Sequence, residues 1–256
     1  PGFTITTEAC KAYLTKGKAP AELAAEVTAH LATVEQAMGR TLGDPINPLL
    51  VSVRSGAAFS MPGMMETVLN IGLNDDSVLG LAGMAGERFA WDSYRRLLQM
   101  FGKTVLGIDS EVFEARIEQV KHARRIVGDT ELTADDLAAL CGSFKTAIFN
   151  ATGERFPQDP RQQLDAAVEA VFRSWSGDRA VLYRRQERIP NDLGTAVNIQ
   201  TMVFGNMSDD SGTGVCFTRD PSTGDVGVYG DFLMNAQGED VVAGLRNARP
   251  LHELDG

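Results

Sequence analysis

The hydrophobic period of this sequence changes twice along its 256 residues. Residues 73–175 carry apolar side chains three or four positions apart, which is typical of amphipathic helices. The segments 1–72 and 176–256 instead contain short runs of β-branched residues bounded by glycine and proline, which predicts strands. We therefore predict an α+β fold in three parts, with a mostly helical part at 73–175 inserted between strand-rich parts at 1–72 and 176–256.

Local signals give the expected elements within these parts. A capping box of Thr133 and Asp136 should begin a helix that ends at Gly153. The other predicted helices are 8–16, 21–38, 87–101, 110–127 and 160–175, and a glycine-containing helix should begin at 75–77. In the last part, alternating runs predict strands at 180–185, 196–205, 212–219 and 226–233, joined by turns into one antiparallel sheet.

Charge and composition exclude several classes of partner. The chain has 24 Lys+Arg against 34 Asp+Glu, and its net charge of −10 argues against general affinity for nucleic acid or anionic membranes. No apolar run approaches the roughly 18–20 residues that span a bilayer. The three cysteines form no C-x-x-C pair, which favours a reducing compartment, so we expect a cytoplasmic protein.

The segment 49–72 contains the strongest candidate for a binding residue. Arg54 follows the apolar run 49–53, so it should lie at the end of a strand, before small residues and a Pro62-Gly63 turn. Such a backbone can approach an anion closely, and a guanidinium donates charge-assisted hydrogen bonds to phosphate, each worth roughly 1.5–3 kcal/mol. The alternative is a structural ion pair with a surface carboxylate. The residues alone leave both possibilities open, because the segment has neither Walker nor G-x-G-x-x-G spacing.

The same segment closely resembles the nucleotide site of the pyruvate phosphate dikinase family. That family has V-x-V-R-S-G-A followed by S-M-P-G-M-M-[DE]-T-V-L-N-I-G, and further similarity covers nearly the whole chain. The matching stretches are 51–57, 60–72, 194–205, 210–224 and 235–244. The resemblance implies an α+β, ATP-grasp nucleotide-binding domain with a helical inserted subdomain, incomplete at both ends, in which ATP lies between two subdomains.

The resemblance also implies an activity and a set of site residues. The activity is that of a phosphotransferase that converts ATP, phosphate and pyruvate to AMP, pyrophosphate and phosphoenolpyruvate with Mg²⁺. Arg54 would be catalytic and would contact the ATP phosphates. The other implied ATP-binding residues are Gly63, Met64 and Met65 in the loop over the phosphates, Gln200, Met202 and Val203 along the adenine, and Thr213 and Gly214 in a small-residue turn near the phosphates. Arg95 on a helix and the carboxylates Glu239 and Asp240 complete the set.

Some of these assignments have alternatives. Glu239 and Asp240 would orient Arg95 or help to place magnesium, but they could equally begin a helix. Gln200 could be an ordinary polar residue of a strand. Adjacent residues on a helix point about 100° apart, so only one of Arg95 and Arg96 should face the site.

The family resemblance further implies segments outside this sequence. A lysine that reaches the phosphates would precede Pro1, and the principal metal-binding acidic residues, the phosphohistidine domain and the pyruvate-binding barrel would follow Gly256. We therefore expect a fragment that is inactive alone, and we assign no metal ligand. The alternatives are a stand-alone, non-catalytic nucleotide-binding module of the same fold and a phosphoenolpyruvate synthase, which is disfavoured by residues 56–67.

Overall fold

A computed structural model describes residues 1–242 and 247–254, except for the side chains of Glu239 and Val242. The chain divides into two compact units, Pro1–Met202 and Val203–Gly256. Both contain helix and sheet, which confirms the predicted mixture. The three-part division at 72/73 and 175/176 concerns functional subdomains and stays a prediction.

The described residues of the first unit contain eight helices and six strands, and four of these strands form its main sheet. Its strands are β1 (Gly2–Ile5), β2 (Thr41–Leu42), β3 (Pro48–Leu49), β4 (Val51–Gly56), β5 (Thr67–Ile71) and β6 (Ala196–Thr201). Its helices are α1 (Thr7–Lys16), α2 (Leu23–Met38), α3 (Ser77–Ala85), α4 (Glu87–Thr104), α5 (Glu111–Arg124), α6 (Ala134–Thr152), α7 (Pro160–Ser174) and α8 (Asp178–Glu187). The segment 73–175 is mostly helical, as predicted, with one 3₁₀ turn at Asp129–Glu131.

The second unit is smaller. It contains β7 (Gly212–Arg219), β8 (Val226–Met234), α9 (Gly238–Val242) and β9 (Arg249–Pro250), followed by a 3₁₀ turn at Leu251–Glu253. The three strands form a sheet in the order β7-β8-β9, with antiparallel neighbours. In the described ranges of both units, no helix is long and apolar enough to cross a membrane.

The main sheet of the first unit has the order β1-β6-β4-β5, and every neighbouring pair is antiparallel. The prediction of a single sheet that contains both 196–205 and 212–219 was wrong, because β6 pairs with β1 and β4. Val197 and Ile199 are buried in this sheet, and Ile199 lies opposite Val53 of β4. Burying that apolar face fixes the position of β6 in the first unit.

The apolar stripes predicted from the sequence form the core. Five residues predicted to face inward on α4 are buried, namely Phe89, Tyr94, Leu97, Leu98 and Phe101. This helix packs against β5 and α6, whereas α7 packs against β4 and β5. The helices thus fix the strands that carry Arg54 and the loop after it.

The structure confirms the predicted ends of α6 but corrects the secondary structure predicted for the residues of α8. Thr133 accepts a hydrogen bond from the N–H of Asp136 at 3.2 Å, and Gly153 ends α6 in a left-handed conformation with φ 76°. The strand predicted at 180–185 was wrong, because these residues lie in α8. Ala180 and Arg184 are its buried residues, and their four-residue spacing places them on one helical face.

Candidate functional site

Arg54 lies inside β4, and the prediction that the strand ends at Arg54 was wrong by two residues, because Ser55 and Gly56 still pair with β6. The preceding residues of the strand, Val51 to Val53, are buried, whereas Arg54 is exposed. Its backbone pairs with Thr67 of β5 and with Asn198 of β6, so the strand position is fixed from both sides. Within residues 1–242 and 247–254, its guanidinium has no hydrogen-bond or ion-pair partner. The structural ion pair considered above is therefore absent from the described part, and the donors face solvent.

Two polar residues of β6 share a face of the sheet with Arg54. Residues paired across antiparallel strands share a face, and so do residues two positions apart. Arg54, Asn198 and Gln200 therefore lie on one face, since Asn198 is opposite Arg54 and Gln200 is opposite Ser52. Gln200 is exposed, as an interaction with a ligand would require. The opposite face carries the buried Val53, whereas on the face of Arg54 the neighbouring Ser52 is buried as well, so the open part of that face is limited to its Arg54 and Gln200 region.

The loop 57–66 joins β4, the strand of Arg54, to β5. Its turn is closed by a 3.1 Å hydrogen bond from the N–H of Met64 to the carbonyl of Met61. Gly63 has φ 70°, which a glycine adopts at low cost after a proline in such a turn. Met61 is buried, whereas Pro62 and Gly63 are exposed and Met64 and Met65 are half-buried. The tip of the loop is therefore open to solvent, while the buried Met61 holds the start of the turn in place.

Sequence reasoning missed the residues that hold the end of this loop. The carboxylate of Glu66 accepts hydrogen bonds from Arg179 at 2.9 Å and from Thr104 at 3.2 Å. Its backbone N–H donates to Oγ of Ser174 at 3.3 Å. Glu66 belongs to the M-M-[DE]-T motif, which was the only available signal; nothing in the sequence marked Arg179.

Arg95 is buried in α4 and has partners on each side-chain nitrogen. Nε and Nη2 donate to Oδ1 of Asp92 at 2.9 and 2.6 Å, and Nη1 donates to Gln99 at 3.0 Å. Arg96 donates from Nε to the other oxygen of Asp92 at 3.0 Å. The side chain of Arg95 is 4% exposed and that of Arg96 is 17% exposed. Of the two arginines, Arg96 is therefore the one with more access to solvent.

Asp92 stays ionised between these two cations. Burial alone would raise the pKa of its carboxyl, but the charges of Arg95 and Arg96 outweigh burial and lower the pKa to about 2. One carboxylate thus sets the position of both guanidinium groups. Whether either arginine contacts a nucleotide stays a prediction.

Met202 is tied to the sheet of the first unit. Its N–H donates to the carbonyl of Leu50 at 3.0 Å, and its sulfur accepts from the N–H of Asn70 at 3.0 Å. Asn70 has a left-handed φ of 61° and is fully buried. Its side-chain amide donates to the carbonyl of Ser93 at 3.0 Å, which connects the end of β6 to α4.

The remaining predicted site residues belong to the second unit. Val203 is 91% exposed. Thr213 and Gly214 lie in β7 opposite Leu233 and Phe232, which confirms the strand predicted at 212–219, and the small-residue turn that the resemblance implied for them was wrong because β8 supplies a continuous antiparallel partner. The hydroxyl of Thr213 donates to the carbonyl of Ala236 at 2.7 Å.

Asp240 lies near the beginning of α9. Its carboxylate accepts from the N–H of Gln237 at 2.8 Å, the kind of contact expected at a helix start. The side chain of Glu239 lies outside the described residues. In the ranges that the structure describes, no three His, Cys, Asp or Glu side chains are grouped to hold a metal ion.

Comparison with known proteins gives one family. Residues 19–250 match the family model described as the pyruvate phosphate dikinase AMP/ATP-binding domain. The chain is also 56% identical over 255 residues to pyruvate, phosphate dikinase 1, chloroplastic, of Zea mays, in an alignment that covers 99% of this chain and 27% of the maize protein.

Two further relatives agree. Pyruvate, phosphate dikinase 2 of Oryza sativa subsp. japonica is 57% identical over 254 residues, which are 99% of this chain and 29% of the rice protein. The chloroplastic pyruvate, phosphate dikinase of Flaveria trinervia is 56% identical over 256 residues, which are 100% of this chain and 27% of that protein. The chain thus spans little more than a quarter of the length of these relatives.

Proposed function

The chain belongs to the pyruvate phosphate dikinase family, within that family's AMP/ATP-binding domain, and on this premise we propose that it supplies part of the ATP site of such an enzyme. The proposed reaction converts ATP, phosphate and pyruvate to AMP, pyrophosphate and phosphoenolpyruvate. We also propose an ATP-grasp arrangement for the domain. The 56% identity to a named dikinase over nearly the whole chain supports both.

Arg54 is the observation that carries the proposal. Its charge is permanent, its strand is held on both sides, and in the described residues no carboxylate has to be displaced before a phosphate can bind. In this position the guanidinium would bind phosphate oxygens of ATP through two parallel hydrogen bonds. It would also stabilise the negative charge on the transferred group, which is the main contribution that a protein makes to phosphoryl transfer.

The loop 57–66 has a second role in this proposal. The exposed turn at Pro62-Gly63 can approach the phosphates without a side chain in between, and nothing lies within 4 Å of the place where a Cβ of Gly63 would be. Backbone N–H groups of such a turn are suitable donors to an anion. Gln200, on the same sheet face as Arg54, would then contact another part of the nucleotide.

Magnesium normally accompanies ATP, and the described residues mark no protein site for it with a group of three potential ligands. No cluster of three potential ligands occurs among them, and Asp240, the one predicted carboxylate whose side chain is described, already accepts a backbone hydrogen bond. Magnesium usually keeps waters and phosphate oxygens and takes only one or two carboxylates from a protein. The roles proposed for Arg54, Gly63 and Gln200 do not depend on a magnesium ligand from this chain.

The first prediction tests Arg54 as a phosphate ligand. MgATP, AMP and pyrophosphate are titrated separately to about 20 mM, which detects millimolar dissociation constants, while the amide resonances of the ¹⁵N-labelled chain are recorded. MgATP and pyrophosphate should perturb residues 54–66. Arg54→Ala should weaken MgATP binding by about ten- to a hundredfold, the equivalent of roughly 1.5–3 kcal/mol for a charge-assisted contact.

Arg185→Ala is the matched control, since Arg185 is exposed and has no partner in the described chain. Equal losses in the two variants, or no perturbation of residues 54–66, would contradict the proposal. In a full-length dikinase that contains this segment, Arg54→Ala should slow the ATP half-reaction by a factor on the order of 10³. Exchange between phosphoenolpyruvate and pyruvate should continue; an equal loss there would indicate misfolding.

A further inference from the structure

We infer that Glu66, Thr104, Ser174 and Arg179 form a clamp, here called the Glu66 clamp, and that Arg179 is a positioning residue for the proposed nucleotide site. This inference rests on the proposed function. The clamp holds the C-terminal end of the loop 57–66, whose tip carries Gly63. Arg179 acts through Glu66 and has no direct contact with the nucleotide.

In the clamp, Glu66 accepts hydrogen bonds through both carboxylate oxygens and donates one through its backbone N–H. One carboxylate oxygen accepts from Nη2 of Arg179 at 2.9 Å, and the other accepts from the hydroxyl of Thr104 at 3.2 Å. Its N–H donates to Oγ of Ser174 at 3.3 Å, while that hydroxyl donates to the carbonyl of Val171 at 2.7 Å. The serine proton is thus directed elsewhere, which leaves its lone pair for Glu66.

The three partners come from three different helix ends. Thr104 is the last residue of α4, Ser174 is the last residue of α7, and Arg179 is the second residue of α8. Since α4 and α7 pack on the main sheet, their contacts with Glu66 fix the end of the loop relative to the strands. A residue held from three directions has little freedom to move relative to the sheet.

Packing alone does not hold this end of the loop. A cavity of about 440 Å³ lies between the loop and the helices, and Met64, Glu66, Thr104, Ser174 and Arg179 are among the residues that line it. A loop beside open space makes few dispersion contacts on that side. Its position therefore depends on the directed hydrogen bonds of Glu66.

The clamp is connected to Arg54 through one strand pair. Glu66 immediately precedes Thr67, whose backbone pairs with Arg54 across β4 and β5. Displacing Glu66 would therefore displace the loop where it meets the arginine that we assign to the phosphates. Positioning errors of this kind reduce binding even when every ligand residue is still present.

Arg179 contributes little to global stability. Its side chain is 63% exposed, and exposed ion pairs are screened by water. Loss of the arginine should therefore loosen the loop without unfolding the unit. This combination separates a positioning residue from a structural one.

The test compares Arg179→Ala, Arg179→Lys and the control Arg185→Ala by hydrogen–deuterium exchange, thermal melting and MgATP titration of the whole chain. Arg179→Ala should speed amide exchange in residues 63–66 by about two- to fivefold. Its Tm should change by less than about 4 °C. MgATP binding should weaken at least about twofold, because the dissociation constant rises as the competent loop becomes less populated. Arg179→Lys should recover part of both effects, and Arg185→Ala should match the wild type.

The possible failures are distinguishable. Unchanged exchange in Arg179→Ala would overturn the clamp. Faster exchange with wild-type MgATP affinity would overturn the positioning role while the proposed function stood. If the wild type showed no MgATP perturbation at residues 54–66, the proposed function and the positioning role would fall together, and faster exchange would still support the clamp as a feature of the fold.

Discussion

Replacing Asp92 by asparagine removes the charge that holds two guanidinium groups in α4. Asp92 and Arg95 are both buried, with only 5% and 3% of their surfaces exposed. Removing one member of a buried pair leaves the other charge uncompensated, and such changes cost roughly 3–5 kcal/mol. Asparagine can still accept a hydrogen bond, so we expect a loss of about 2–4 kcal/mol from the free energy of unfolding at pH 7.

The pKa of Asp92 gives a second value for the stability that its charge contributes, and it gives the pH range over which that stability is lost. Its pKa falls from 3.8 to about 2 on folding, which corresponds to about 2 kcal/mol that favours the ionised form. Because the folded pKa lies below the unfolded one, this stabilisation is fully present above pH 4 or so. It is lost as the pH falls towards about 2. The difference between wild type and Asp92→Asn should therefore be constant from about pH 7 to 5 and shrink below about pH 4.

Urea unfolding followed by tryptophan fluorescence measures this effect in the right part of the molecule, since the two tryptophans, Trp91 and Trp175, lie in the first unit. Asp165→Asn is the matched control. Asp165 also pairs with an arginine on a helix, but its side chain is 51% exposed. Its loss should cost less than about 1 kcal/mol. If Asp92→Asn cost no more than the control, the two arginines would have found other partners, and the role assigned to Asp92 would be wrong.

Two other predictions concern the fold. Gly72→Ala should cost at least about 2 kcal/mol of stability, because Gly72 has φ 114° and an added Cβ would lie 2.6 Å from the carbonyl oxygen of Leu49. The control Gly83→Ala, at an exposed and unobstructed helical position, should instead stabilise the protein by about 0.5–1 kcal/mol. Equal urea midpoints for the two variants would contradict this reasoning. Burial raises the pKa of the Cys141 thiol to about 12 and also raises the pKa of Cys10. When the folded protein is titrated with a thiol reagent, only the exposed Cys216 should therefore react quickly. Three fast thiols would refute the burial of Cys10 and Cys141.

Local signals in the sequence predicted much of the fold. The Thr133 capping box, the stop at Gly153 and the apolar stripe of α4 are each encoded within a few residues, so they could be predicted without tertiary information. Residues 180–185 were assigned wrongly because a short apolar run fits either period. Which strand lies beside β6 was also beyond local patterns, since its neighbours β1 and β4 are distant along the chain.

The candidate site divides in the same way. The strand that carries Arg54 and the turn at Gly63 follow from residues within the segment 49–72 and were predicted, although β4 continues to Gly56. The partners of Glu66 lie 38, 108 and 113 positions away along the chain. Only the packing of α4, α7 and α8 brings them together, so no pattern near Glu66 could indicate them.

The central position of β6 in the main sheet also determines the order in which the first unit can assemble during synthesis. β1 has β6 as its one hydrogen-bonded neighbour in the described sheet, and the register places Gly2 opposite Gln200. The β4–β5 hairpin and the contacts among α3 to α6 are local and can form early, whereas closing so long a loop is entropically costly and slow. Among the described strands, β1 therefore has no partner until residues 196–201 have left the ribosome, and during that interval the edge that β6 later covers is one that other chains can capture.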